Sequence, residues 1–366
     1  MYILLTNHQM YAYTGTELYT YTFALALKKL GHKICVYTKF PGEISEKLEE
    51  KGVRCTNDLE SLKDEPFDIA HIHHVMCAYE IRIKFPKIPM VFQSHGAKTI
   101  LEQPPKLNIN ISRFLAISEM VKENVKKTNY IDDVQIIGNG FDTQSFRQIK
   151  PINSKPQNAL VISNKMTLPK KTILKKALQK LGINCVFIGA ENAVAYHRLP
   201  KYINEADIVF TIGRGVVESL LCGRAVFVFD SHAADGIITS SNYDSIKKAH
   251  FSGQAFNKKF NPSQIIKEIN TFYNPEDVAI LSLKAQQEFN IDTIAKKLVS
   301  IYEDVLKFPV EKISEEKIGI INQILDLVEV ENMYVAKELK GIKESRLYDV
   351  WKKYSILKKL AKLQKR

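Results

Sequence analysis

The sequence of 366 residues has no uninterrupted apolar run approaching the roughly 20 residues that a membrane-spanning helix needs. Its start, MYILLTNHQMY, lacks a basic region and a small-residue cleavage site, and its apolar segment is very short, so it does not read as a secretory signal. Both absences point to a cytosolic chain. Cysteine is sparse: Cys35, Cys55, Cys77, Cys185 and Cys222 are scattered, odd in number and never in CxxC spacing, the pattern of buried reduced thiols. Repeats and low-complexity tracts are missing as well. His71, His73 and His74 follow an apolar run, where such histidines read as loop-edge residues more readily than as metal ligands.

What is present is a globular composition, 45% hydrophobic, on a chain long enough for two domains and an appendage. The net charge of +12 is uneven: Gly341 to Arg366 holds nine Lys or Arg against two acids, so +7 lies in the last 26 residues.

Apolar strand-like runs alternate with helical patterns from the start. Tyr2–Thr6 is followed by a helix over Glu17–Leu30 that stops at Gly31, and then by a strand at Lys33–Thr38. A helix at Glu43–Lys51 and strands near Val53, at Asp68–Ile72, at Met90–Gln93, at Phe114–Ile117 and at Val134–Ile137 continue the series. Ser118 opens a helix between the last two. Residues 150–156, KPINSKP, read as a linker. A second series follows: a strand at Ala159–Ser163, a helix at Lys171–Leu181 and a strand at Cys185–Gly189, with a helix at Thr293–Leu306 closing the region. Such alternation predicts doubly wound parallel sheets, an α/β fold.

The most informative run is ADIVFTIGRGVVESLLCGRAVFVFD, from Ala206 to Asp230, which reads as strand, glycine turn, helix, glycine turn, strand. A glycine turn feeding a helix leaves free backbone N–H groups at the positive end of the helix dipole, where a phosphate binds. Arg214 adds a cation there, and Glu218 can accept hydrogen bonds from the hydroxyls of a ligand such as ribose. Phosphate and hydroxyls together suggest a nucleotide sugar. On this stretch alone the plainer alternative stands beside it, in which Glu218 offsets the helix dipole and Gly213 and Gly215 only make the turn.

Six segments in order carry a family resemblance: TGTELYTYTFALALKKLGHKICVYT (Thr14–Thr38), DIAHIHH (Asp68–His74), SHG (Ser94–Gly96), AISEMVKENV (Ala116–Val125), IGNGFDTQSF (Ile137–Phe146) and ESLLCGRAVFV (Glu218–Val228). Over about Met1–Leu306 the chain resembles the retaining GT-B glycosyltransferases of the family 4 type. The resemblance implies two Rossmann-like domains facing a cleft, with residues 1–150 on the acceptor side and 151–307 binding the nucleotide sugar. Beyond the resemblance, residues 308–366 read as a helical extension ending in a basic amphipathic helix. The resemblance also implies no metal requirement. With the two βα series, the Glu218 unit and the basic tail it suggests a UDP- or GDP-linked sugar as substrate, no other cofactor, and transfer to a glycan or lipid-linked acceptor in cell-surface polysaccharide assembly of the lipopolysaccharide, capsule or teichoic-acid type.

Residue by residue, Glu218 matches the second glutamate of the family's E-x7-E element, a ribose clamp, and Gly213, Arg214, Gly215 and Val216 take the place of the diphosphate-holding turn. Lys170 matches the lysine of the R-x-K diphosphate grip, with Lys165 nearby. His95 matches the histidine beside the transferred sugar, and Gly15 with Thr16 the loop over the diphosphate. His95, Lys170 and Glu218 are thus the catalytic candidates. Two positions depart from the pattern: the first glutamate of E-x7-E falls at Phe210, and the arginine of the grip at Asn164. Arg214 is placed to restore the lost cation from another direction. The departures also keep open a catalytically inactive nucleotide-sugar-binding or scaffold protein of the same fold.

The C-terminal helix, with Leu347, Val350, Trp351, Tyr354, Leu357, Leu360 and Ala361 on one face and lysines on the other, suggests peripheral attachment to an anionic membrane through residues 341–366. Packing on the chain's own surface or on a second subunit remains open, and the stripe Ile318, Ile321, Leu325, Val328 suits a homodimer. No nucleic-acid module is visible.

Overall fold

The computed structural model describes residues 1–344 apart from Lys98, Ala190, Glu191, Ala193 and His232; the basic helix expected over residues 347–361 lies outside the described residues. The chain divides into two compact units, Met1–Glu311 and Lys312–Arg366.

The first unit holds two sheets. Seven parallel strands, β1 (Tyr2–Gln9), β2 (Lys33–Phe40), β3 (Arg54–Thr56), β4 (Ile69–Ile72), β5 (Met90–Ser94), β6 (Arg113–Ala116) and β7 (Val134–Ile136), lie in the order β3-β2-β1-β4-β5-β6-β7. Helices α1 (Gly15–Lys29), α2 (Glu43–Glu50), α3 (Val75–Lys84) and α4 (Glu119–Asn129) connect them. The second sheet, β8 (Asn158–Ile162), β9 (Asn184–Ile188), β10 (Ile208–Thr211), β11 (Ala225–Phe229) and β12 (Ala234–Ile237), is ordered β12-β11-β10-β8-β9, with only β12 antiparallel. Around it run α5 (Leu168–Lys180), α6 (Leu199–Glu205), α7 (Arg214–Leu221), α8 (Tyr243–Lys248), α9 (Pro262–Phe272) and α10 (Pro275–Glu288). Buried strands such as Ile69–Ile72 and Ala225–Phe229 are covered on both faces, which is why they read as continuous apolar runs. Strand order reverses between β1 and β4 and between β8 and β10. In such sheets the crevice at the carboxyl ends of those strands is where ligands bind.

Where the chain passes between the two sheets differs from the sequence reading. Phe141 and Phe146, on the first-domain side of the expected boundary, are buried in the second core. The last helix of the unit, α11 (Ile291–Val305), expected to close the second region, inserts Ile294, Ala295, Leu298, Tyr302 and Val305 into the first core beside α1. Lys29 and Asp292 pair across that contact at 2.7 Å. The crossings run side by side: Phe141 N donates to Phe289 O at 2.8 Å and Ile291 N to Phe141 O at 3.0 Å. An amphipathic helix carries a pattern for burial but no address, so local periodicity cannot assign it to the nearer or the farther core.

The KPINSKP stretch is no free linker. Asp207 Oδ1 accepts from Asn153 N at 3.1 Å, its Oδ2 accepts from Gln157 N at 2.8 Å and Asn158 N at 2.9 Å, and Arg224 donates to Lys150 O. Helices α9 and α10 escaped the sequence reading although each starts on an Asn–Pro pair, with Asn261 and Asn274 accepting from backbone N–H groups of the first turn and proline at the first helical position.

The second unit contributes α12 (Glu315–Glu344), whose Ile318 to Val330 portion contains the expected apolar stripe. Among the described residues no helix is long and apolar enough to cross a membrane. All five cysteines are free: Cys35, Cys77 and Cys222 are buried, Cys55 and Cys185 half-buried.

Candidate functional site

A cavity of about 710 Å³ opens at the carboxyl ends of both sheets, inside the first unit. Its walls come from the loops after β1, β5, β8 and β10 and from the first turn and a half of α7, so the two topological switch points face a common space.

The α7 side is built from the glycine turn. Gly213 caps the helix with φ +61°, a left-handed conformation that costs glycine little, and its N–H donates to Phe251 O at 2.8 Å. Gly215 has no room for a side chain, since a Cβ there would run into the Thr211 side chain on β10. Arg214 lies over the Phe141 ring at 4.2 Å, reaches Glu218 Oε1 through Nε at 3.3 Å and donates from Nη2 to the Tyr196 hydroxyl at 3.1 Å. Tyr196 in turn donates to Glu218 Oε1 at 2.8 Å. Burial pushes the Tyr196 phenol well above its ordinary pKa, so it stays protonated and remains a donor. Arg214 Nη1 is buried without a hydrogen-bond partner among the described residues. A guanidinium N–H left unpaired in a low-dielectric pocket is costly unless an anion arrives to accept from it.

The opposite wall belongs to the first sheet. Tyr13, with Gly15 and Thr16 of the first turn of α1, forms a wall tied by Glu17, which accepts from Gln9 Nε2 at 2.8 Å, from Thr16 Oγ1 at 2.9 Å and from Thr14 Oγ1; the sequence reading places Gly15 and Thr16 in a loop. Tyr13 stacks on Tyr196 with ring centroids 6.0 Å apart and planes at 23°, a direct contact between the two lobes. His95 follows β5, is buried, and its Nε2 lies 2.9 Å from His73 Nδ1. His71 Nδ1 meets the Tyr302 hydroxyl, and Tyr19 presents its ring edgewise to His71, His73 and His95. Burial drives His73 and His95 well below the usual histidine range and His71 to about 3. These imidazoles are neutral near pH 7, polar groups rather than cations.

The expected residues therefore fall into three sets. Gly15, Thr16, His95, Lys165, Arg214, Gly215 and Glu218 line the cavity together. Gly213 lines an adjoining cavity of about 630 Å³ that shares Arg214, Asn139 and His250 with the first. Val216 is buried in the second core, and Lys170 lines neither space; its Nζ sits 5.5 Å over the Phe229 ring. The three histidines at 71, 73 and 74, expected at a loop edge, are almost wholly buried. Among the described residues no group of three or more His, Cys, Asp or Glu side chains is placed to hold a metal ion.

The two cavities also contain residues that the sequence did not announce. His250 and Phe251 adopt left-handed backbones, φ +56° and +53°, and burial lowers His250 to about 4. Glu102 is held above the ordinary carboxylate range by burial and by the charge of Glu17. Tyr196 had no motif around it. Only its position between two cores makes it a wall residue.

Residues 13–145 match the family model for Glycosyltransferase Family 4. No curated protein matches the sequence. Among solved structures, a glycosyltransferase from Rickettsia africae ESF-5 is 15% identical, with a TM-score of 0.61 over 84% of this chain and 99% of that one. The fold is GT-B. Anabaena Alr3699/HepE, solved in complex with UDP and glucose, is likewise 15% identical, with a TM-score of 0.56 over 83% of this chain and 99% of that chain. WaaG, a glycosyltransferase involved in lipopolysaccharide biosynthesis, is 12% identical, with a TM-score of 0.51 over 82% and 99%. In GT-B terms the 710 Å³ cavity is the cleft between the two lobes, and the Tyr13–Tyr196 stack bridges it.

Proposed function

We propose that this GT-B chain transfers a sugar from a UDP- or GDP-linked carrier to a glycan or lipid-linked acceptor of cell-surface polysaccharide assembly. The observation that carries the reading is the convergence of Arg214, Gly215 and Glu218 from α7 and of Tyr13, Gly15 and Thr16 from the start of α1 on one cavity at both switch points. In this reading the leaving diphosphate lies at the N-terminus of α7, where the helix dipole and Nη1 of Arg214, which has no hydrogen-bond partner among the described residues, stabilise charge as it develops. Lys165 adds a cation from the β8 loop. Arg214 then replaces the arginine that Asn164 does not supply, and His95 is a neutral hydrogen-bonding partner for the transferred sugar.

Lys170 has the weaker claim to the diphosphate, since its ammonium lies over Phe229 away from the cleft wall. No step is assigned to a metal, and the reaction is taken as retaining with the family pattern. Attachment to the inner face of the membrane through residues 341–366 belongs to the same proposal, argued from their +7 charge.

The test is a panel of UDP-, GDP-, ADP- and CMP-sugars, with and without EDTA, followed by thermal shift and by sugar release. One nucleotide series should raise Tm, and the shift should survive EDTA. Glu218→Ala is expected to raise the KM for the nucleotide sugar or lower turnover at least about tenfold, the loss of one or more hydrogen bonds to a charged group. Wild-type kinetics in that variant would refute the assignment. Binding without hydrolysis or transfer under any acceptor condition would favour the inactive binding protein instead.

A further inference from the structure

We propose that Glu218 holds only one hydroxyl of the bound ribose, because Tyr196 and Arg214 saturate its other oxygen, and that the site therefore accepts a nucleoside diphosphate lacking one ribose hydroxyl. The inference deepens the nucleotide-sugar reading above and rests on it. A carboxylate clamps a vicinal diol by offering one oxygen to each hydroxyl, and each oxygen has two lone-pair sites. In this chain Oε1 of Glu218 already accepts from the Tyr196 hydroxyl at 2.8 Å and from Arg214 Nε at 3.3 Å. Its Oε2 has no hydrogen-bond partner among the described residues, is not among the buried unpaired atoms, and belongs to a residue that lines the cleft.

The arrangement is held from three sides, so a ligand cannot cheaply displace it. Tyr196 is fixed by its stack on Tyr13 and by Phe146 at 5.5 Å, and Arg214 by the Phe141 face. Glu218 itself is only 3% exposed. Pulling Tyr196 and Arg214 away from Oε1 would strand a buried hydroxyl and a second guanidinium N–H beside the Nη1 that is already unpaired, which is worse than forgoing one ribose contact. Tyr196 thus determines specificity by occupying the position that a second ribose hydroxyl would take.

Calorimetric titration of the full chain with UDP, GDP and ADP first identifies the best-bound diphosphate, and its 2′-deoxy and 3′-deoxy analogues then follow. One analogue should bind within about threefold of the parent and the other at least about tenfold more weakly, the difference between losing no bond to a carboxylate and losing one. Tyr196→Phe keeps the ring stacked on Tyr13 and frees one lone pair of Oε1, so the tolerated analogue should fall behind the parent by about tenfold. Tenfold losses for both analogues in the wild-type chain would mean that both oxygens are in use, and unchanged binding of both that Glu218 holds no hydroxyl; either result overturns the proposal and leaves the nucleotide site standing. A Tyr196→Phe variant that discriminates no more than wild type overturns the role of Tyr196, and should that variant fail to fold, the wild-type comparison alone decides. No binding of any of the three diphosphates would remove the nucleotide-sugar reading as well.

Discussion

Lowering the pH should weaken this protein through its buried histidines well before its carboxylates titrate. His71 is fully buried, with Nδ1 against the Tyr302 hydroxyl, and His74 is 6% exposed, its Nδ1 accepting from His8 N at 3.1 Å. Burial lowers both from 6.5 to about 3. A depressed folded-state pKa means that the unfolded chain binds the proton first. The stabilisation is therefore complete above about pH 6.5 and is lost as the pH falls from there toward 3. Each pH unit in that window costs about 1.4 kcal/mol per histidine. At about pH 5 the loss is about 2 kcal/mol for each residue and about 4 kcal/mol for the pair, with His73 and His95 acting in the same direction. Set against a total stability of roughly 5–15 kcal/mol, this is a large fraction. Urea titrations followed by far-ultraviolet circular dichroism at about pH 7 and about pH 5 measure it directly. His74→Gln, whose amide oxygen can still accept from His8 N, should remove about 2 kcal/mol of the pH-dependent loss. Equal unfolding free energies at the two pH values would refute the neutral, buried state of these imidazoles.

Three further expectations concern the frame of the cleft. Gly140→Val places a side chain against Ile291 where the chain passes between the lobes, and should cost about 1–3 kcal/mol, read as a lower urea midpoint. Asp207→Asn exchanges a carboxylate that accepts three backbone N–H groups for an amide that turns a donor toward one of them. A loss of about 2–4 kcal/mol is expected, checked by thermal unfolding. Arg82→Met strands four carbonyl oxygens, of Pro86, Ile88, Ile109 and Asn110, at 2.8–3.0 Å from a guanidinium that has no carboxylate partner among the described residues, and should destabilise by about 3 kcal/mol or more in the same assay.

Much of this architecture was legible in the order of residues. Strands β1 to β11, with β3 placed only approximately, follow from apolar runs bounded by glycine, serine and proline, because a parallel strand covered on both faces must be apolar throughout. Helices α1, α2, α4, α5 and α7 were legible too, whereas α3, α6 and α8 carried no such signal. The Gly213–Glu218 turn was legible for the same reason: a helix start with glycines, an arginine and a carboxylate within six residues is a local chemical pattern. Tertiary structure alone decided where α11 docks, since the face that fits the first core is as apolar as one that would fit the second. It alone brought Tyr196 and Tyr13 together from positions 183 residues apart and set the Tyr196 hydroxyl on the oxygen of Glu218 that Arg214, one helical turn away, also reaches. It also buried three histidines that the sequence leaves at a loop edge, because the covering helices that exclude water come from elsewhere in the chain. Local pattern specifies which groups can bind; what those groups are already bound to is a matter of distance in space, and the one-dimensional order does not encode it.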